Sequence, residues 1–353
     1  MPFRIIRNDI TKVRADVIVN TANPRPIIGG GTDSAIYRAA GEEQLLEARI
    51  KIGDIAQGEA ESTPAFALDA KHIIHTVGPK WLDGDHGERD TLRSCYANSL
   101  TLAAELQAKS IAFPLISSGV YKFPKDEALN IALNEIGRFL LTHDMEVILV
   151  VFDRTAFELS EQLVGQIDEY IDEHGVGLAS ETEYAGRDDR DRRRLMEERL
   201  LSNGMYTELS AEKNETVISE TAQAPFIDVQ GKSLDEVIGG AGETFQQRLF
   251  NLIDLSGMDD VTVYKKANID RKVFSRIRCK PDYKPTKRTA VAFAIALELD
   301  MPTMLDLLSR AEIAFSPSSR FDLIITYFVT NGIYDIFEIN AALFRYGETI
   351  LGE

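Results

Sequence analysis

Val19-Asn20-Thr21-Ala22-Asn23-Pro24-Arg25-Pro26-Ile27-Ile28-Gly29-Gly30-Gly31-Thr32-Asp33 is the stretch that decides how this chain folds. A strand-like run over 17–20 leads into it and a helical run over 34–40 follows it. Three glycines in a row, lacking side chains, let the backbone approach a ligand closely and adopt positive φ. Their amides, next to a helix N-terminus, favour an anion. A second loop, Phe113-Pro114-Leu115-Ile116-Ser117-Ser118-Gly119-Val120-Tyr121, follows another strand-like run far along the chain. Either loop alone reads as a tight turn. Together, at strand ends and with polar neighbours, they can close on a diphosphate from opposite sides, so a nucleotide-type ligand is expected.

Working outward, strands are expected over 3–6, 17–20, 73–76, 111–115 and 147–152. Helices are expected over 34–40, 42–52, 91–107, 125–142 and 155–173. This alternation predicts an α/β unit over residues 1–174, with a mixed, largely parallel sheet and helices on both faces. Ligands in such sheets sit at the carboxyl ends of strands, where both glycine loops fall.

The residues around the loops suggest roles. The amides of Asn20 and Asn23 offer donors and an acceptor suited to sugar hydroxyls, although for Asn20 a structural role at the strand end weighs more. Asp33 either caps the following helix or orients a water beside a bound sugar. Asp9, after the first strand, either accepts a hydrogen bond from a base or shapes a turn. Phe152 either stacks on a base or fills the core, and Tyr121 either covers a sugar face or packs.

Residues 29–41, the run Ile73-Ile74-His75-Thr76-Val77-Gly78-Pro79 and residues 111–121 resemble a macrodomain of the MacroD type, in order and spacing, over about residues 1–173. The resemblance implies a three-layer α/β/α domain that binds ADP-ribose. It implies hydrolysis of mono-ADP-ribose from acidic side chains, of O-acetyl-ADP-ribose, or of both. Carried over by position, Asp9 with Ile10 matches the adenine-reading pair. Asn23 matches the residue on the distal ribose, and Gly29, Gly30, Gly31 and Thr32 the first diphosphate loop. Asp33 matches the catalytic carboxylate. Ser117, Ser118, Gly119, Val120 and Tyr121 match the second loop, and Phe152 the aromatic against adenine.

The chain departs from the family in reading Ile-Gly-Gly-Gly-Thr-Asp where four glycines and Val-Asp are usual. It has Tyr37 where active members commonly carry His, and Lys122 where Gly often follows the aromatic. These changes bear on rate and linkage more than on binding. Neither a metal nor another cofactor is implied, because the zinc-using branch needs Cys and His around the first loop. His75 and Cys95 read as structural.

Residues 175–234 lose periodicity and read as an acidic, polar linker, partly disordered. Residues 235–353 read as a separate all-α domain, with 245–308 similar to a helix-turn-helix of the phage-repressor type. The chain carries a net charge of −17, yet residues 261–290 hold 10 basic and 2 acidic groups. Lys265, Lys266, Arg271, Lys272, Arg276 and Arg278 are the candidates to meet nucleic-acid phosphates there, with a protein partner the competing reading. Two cysteines among 353 residues, no membrane-length apolar run and no signal-peptide pattern point to a cytoplasmic setting. The expected activity is therefore an ADP-ribosyl hydrolase. The alternative is a non-catalytic ADP-ribose sensor whose tail binds nucleic acid or protein.

Overall fold

The computed structural model describes residues 3–151, 166–168, 170, 171 and 242–352. Phe152, most of the stretch expected as a helix over 155–173, and the linker lie outside the described residues; 166–168, 170 and 171 within that stretch are helical. The α/β unit holds strands β1 (Phe3–Arg7), β2 (Val17–Thr21), β3 (Ala60–Pro64), β4 (His72–Thr76), β5 (Ser110–Pro114) and β6 (Glu146–Val151). Its helices are α1 (Thr32–Ala40), α2 (Glu42–Ile52), α3 (Glu88–Glu105) and α4 (Lys125–Thr142). The strand order is β1-β6-β5-β2-β4-β3. All neighbouring pairs are parallel except β3 with β4.

Period-two alternation along the central strands splits the core into two layers. Val17, Val19, Ile111, Phe113, Val147 and Leu149 join the cluster that includes α3 and α4. Ile18, Ile73, Ala112, Ile148 and Val150 join Ile36, Tyr37 and Leu45 of α1 and α2. Strands buried on both faces read as continuous apolar runs, which is why VIV, HII and VILVV stand out in the sequence. The expectation missed β3. Its sequence, AESTP, is polar and only Thr63 is buried, as suits an edge strand held by backbone pairing to β4.

The chain leaves β2 toward β3 and β4 on one side, and reaches β5 and β6 on the other. The order of travel therefore reverses between β2 and β5, the place where open α/β sheets form a crevice beyond their carboxyl ends. The two glycine loops leave the sheet from these two neighbouring strands.

The C-terminal region is helical: α5 (Phe245–Ser256), α6 (Asp260–Lys266), α7 (Arg271–Cys279), α8 (Lys287–Ala296), α9 (Met301–Ser309), α10 (Arg320–Thr330) and α11 (Ile336–Arg345). Each begins with a Thr, Asp or Ser whose side chain accepts an N–H of the first turn. The unit lies against α4 and β1. Asn268, in the turn between α6 and α7, accepts from Phe3 N and donates to Phe3 O, each at 3.0 Å. Phe337 of α11 covers Gly137 of α4 and meets Phe3 edge-on, with ring centroids 5.2 Å apart. Among the described residues, no helix is long and apolar enough to cross a membrane.

Candidate functional site

A cleft of about 580 Å³ opens at the carboxyl ends of the parallel strands. It brings together Asp9 and Ile10 after β1, Asn23, Gly29, Gly30, Gly31, Thr32 and Asp33 after β2, and Ser117, Ser118, Gly119, Val120 and Tyr121 after β5. Gly78, after β4, joins its floor. Every candidate ligand residue named from sequence thus lines one space, except Phe152, which lies outside the described residues.

The first loop reaches α1 through Gly31, the helix N-cap, at φ 63°. No side chain caps this helix, and a Cβ at Gly30 or Gly31 would meet nothing within 4 Å, so backbone is presented openly to the cleft. The second loop is a tighter construction. Ser117 takes φ 63°, its carbonyl accepts from Phe123 N at 3.1 Å, and Gly119 O accepts from Lys122 N at 3.0 Å. Ser118 Oγ donates back to Leu115 O at 2.8 Å. The Ser117 Oγ is buried and finds no hydrogen-bond partner among the described residues. Gly78 passes so close to that hydroxyl that any Cβ there would collide with it.

Asp33 is only 2% exposed. It does not cap α1. Its Oδ1 accepts from Asn20 Nδ2 at 2.6 Å and its Oδ2 from Gly29 N at 2.5 Å. Burial raises its pKa above the ordinary carboxylate value, against the lowering pull of these two bonds and of the Arg49 charge. Asn20 also reaches His75 Nδ1 at 3.2 Å, and His75 Nε2 lies 2.9 Å from Thr63 Oγ1. Burial pushes His75 down to about 3, so it is neutral. An Asn20 amide donating to both Asp33 and Nδ1 makes Nε2 the protonated nitrogen, donating to Thr63. The chain Thr63–His75–Asn20–Asp33 therefore runs from the edge strand to the cleft. Sequence reading assigned Asn20 and His75 structural roles and did not connect them to the carboxylate.

Tyr37, one turn after Asp33 on α1, is buried, and desolvation with the Asp33 charge pushes it up to about 12. It stays a neutral phenol. Asp9 shapes a turn: its Oδ1 accepts from Thr11 N at 3.0 Å and Thr11 Oγ1 at 2.8 Å, and these bonds hold its pKa below the ordinary value. It borders the cleft while doing so. Arg49 of α2, which sequence reading passed over, is 1% exposed and donates to the carbonyls of Asn23 and Pro24.

Away from the cleft, Asp83, His86 and Glu88 bring metal-type donor atoms within 4.8 Å of one another. Glu88 there accepts the N–H groups of Leu82, Gly84 and His86, so the group organises a loop. In the helical region, Lys265 turns toward the α/β unit, with Nζ 3.3 Å from Leu141 O and 3.4 Å from Asp144 Oδ1. Lys266 pairs with Glu298 and Arg278 with Asp260. Arg271, Lys272 and Arg276 lie exposed on α7.

Residues 19–132 match the family model described as Macro domain. A macro domain-containing protein of Mesorhizobium japonicum is 47% identical over 159 residues, 44% of this chain and 90% of that protein. The O-acetyl-ADP-ribose deacetylase of Escherichia coli K12 is 43% identical over 170 residues, 46% of this chain and 96% of that protein. A solved Oceanobacillus iheyensis macrodomain with ADP is 37% identical, covering 47% of this chain and 92% of that one at a TM-score of 0.43.

Proposed function

The chain belongs to the macro domain family, and from that premise we propose that its cleft binds ADP-ribose and hydrolyses an ester at the distal ribose. The substrates are O-acetyl-ADP-ribose, or a protein carrying mono-ADP-ribose on an acidic side chain. One observation carries the reading: both glycine loops and a buried carboxylate line the same space. Similarity to proteins named O-acetyl-ADP-ribose deacetylase supports it.

In this reading the backbone of the two loops holds the diphosphate and so fixes the distal ribose. Asn23 meets the ribose hydroxyls. Asp33 accepts a proton from a water, which attacks the acyl carbon. Asp33 then passes that proton to the ribose oxygen as the acyl C–O bond breaks, giving acetic acid, which ionises to acetate, and ADP-ribose. Burial raises the Asp33 pKa toward working pH, which suits a general base. Such assistance is worth ~10²–10⁴-fold, with positioning supplying much of the rest.

The test is Asp33→Ala, assayed by ADP-ribose calorimetry and by single-turnover deacetylation. Affinity should hold within a few-fold while turnover falls by ~10²–10⁴-fold. Equal turnover in variant and parent removes Asp33 from the chemistry, and a parent that releases no heat with ADP-ribose ends the reading. A second reading, a sensor without turnover, is favoured by Tyr37, which stays a neutral phenol up to about 12. Binding without hydrolysis in the parent selects it. In that role Arg271, Lys272 and Arg276 would contact nucleic acid, and filter binding must then weaken steeply with salt.

A further inference from the structure

Arg49 sits in the helix sequence EEQLLEARIKI, where Leu45 and Arg49 are the buried residues. A guanidinium withdrawn from water is costly unless its donors and its charge are matched. The donors are matched by carbonyls. Nη1 donates to Gly53 O, at the end of its own helix. Nη2 donates to Asn23 O at 3.1 Å and Pro24 O at 3.2 Å, across to the start of the first glycine loop. Ile55 N adds a bond to the same Pro24 carbonyl at 2.9 Å. One side chain of α2, with the Ile55 N–H just beyond it, therefore ties down the segment that carries Asn23 into the cleft.

Among the described residues, no carboxylate is in contact with the guanidinium. Its charge acts on groups of several elements: Asp33 and Tyr37 on α1, Asp54 after α2, Glu61 on β3 and His75 on β4. Two effects meet in one group, a mechanical hold on the loop and a fixed charge near Asp33.

We propose that Arg49 is a positioning residue for the cleft, holding the Asn23–Pro24 backbone in register with the glycine loop. Its charge, the smallest of the influences on Asp33, favours the ionised form as a secondary effect. This rests on the ADP-ribose hydrolase reading above. The two effects separate by substitution. Arg49→Lys keeps a charge but cannot span three carbonyls. Arg49→Gln removes the charge and most of the donors.

Both full-length variants are compared with the parent by melting temperature, ADP-ribose calorimetry and the pH profile of single-turnover deacetylation. Arg49→Lys should bind ADP-ribose more weakly and turn over more slowly, with its acid limb at the parent's pH. Arg49→Gln should show the same losses and, in addition, an acid limb moved to higher pH, because the charge that lowers the Asp33 pKa has gone. Loss of register by about 1 Å is worth on the order of 10²-fold in rate. If Arg49→Gln melts below assay temperature, Arg49→Lys alone decides. Variants with lowered melting temperature but parental affinity, rate and acid limb make Arg49 a purely structural residue and overturn the proposal. A parent that binds ADP-ribose yet hydrolyses nothing removes the hydrolase reading and the charge effect, and the two variants' affinities still decide the hold on the loop. A parent that binds no ADP-ribose overturns both readings.

Discussion

A histidine enclosed between strands must settle on one charge state, and at His75 that choice shows in stability. The unfolded chain takes up the proton near the ordinary value of 6.5, whereas the folded one refuses it until about 3. Between those limits the unfolded state holds more protons, so stability falls as pH drops through that window, by about 1.4 kcal/mol per pH unit for one group. His75→Gln should flatten this slope. Urea melts of variant and parent at about pH 7 and about pH 5 check it, and parallel slopes would assign the acid sensitivity to other groups. Gly29 is the second test at this scale. A Cβ there would lie 2.5 Å from Asn23 Nδ2 and 3.1 Å from Asp33 Oδ2. Gly29→Ala should therefore displace the Asn23 amide and lower turnover by about tenfold or more, within the range that small misplacement causes, with the melting temperature little changed. The importance of the glycines was legible from sequence, because residues without side chains announce close approach. Arg49 was not, because one arginine in EEQLLEARIKI looks like a solvated helix face and two of its three carbonyl partners lie 25 and 26 residues away.

At the scale of elements, apolar periodicity located every strand that is buried on both faces, and the bounds of α2 and α4. It failed on β3, whose pairing is made by backbone and whose side chains carry no alternation. It also left the turn between α6 and α7 as a generic helix-turn-helix bend. In the fold that turn is the cap of a sheet edge. Asn268 takes φ 53°, which asparagine tolerates, and presents its amide to both main-chain groups of Phe3. An edge strand otherwise offers its unpaired groups to any passing strand. Asn268→Gly keeps the backbone conformation but strands the Phe3 N–H and C=O, and should cost about 2–3 kcal/mol. Asn268→Ala adds the strain of positive φ and should cost about 1 kcal/mol more. Denaturant melts of the two variants check the order, and a Gly variant as stable as the parent would show that the edge needs no cap.

Across the whole molecule, one buried apolar cluster runs from Phe3 and the central strands, through α4, into the helical region as far as Leu351. Half of α4 is buried, because one face meets the sheet and another meets α6 and α11. Lys265 reinforces the same seam, and Phe337 closes over Gly137, where no larger residue fits. Two units joined by a continuous core should unfold together, although only the first contains the cleft. A ligand that binds the folded state alone stabilises everything that must unfold with its site, by about 2.7 kcal/mol at a hundredfold excess over Kd. Native-state hydrogen exchange with ADP-ribose should then raise protection in α6 and α11 as much as in β2 and β5. Protection confined to the α/β unit would mean that the helical region opens on its own. Phe337→Ala separates the alternatives further. Phe337 is half-buried, so its truncation should cost less than the ~3–5 kcal/mol of a fully buried aromatic, and the space it leaves would lie at the seam itself. If the seam carries the coupling, the ligand-induced gain in α6 and α11 should shrink in this variant while the gain in β2 and β5 persists.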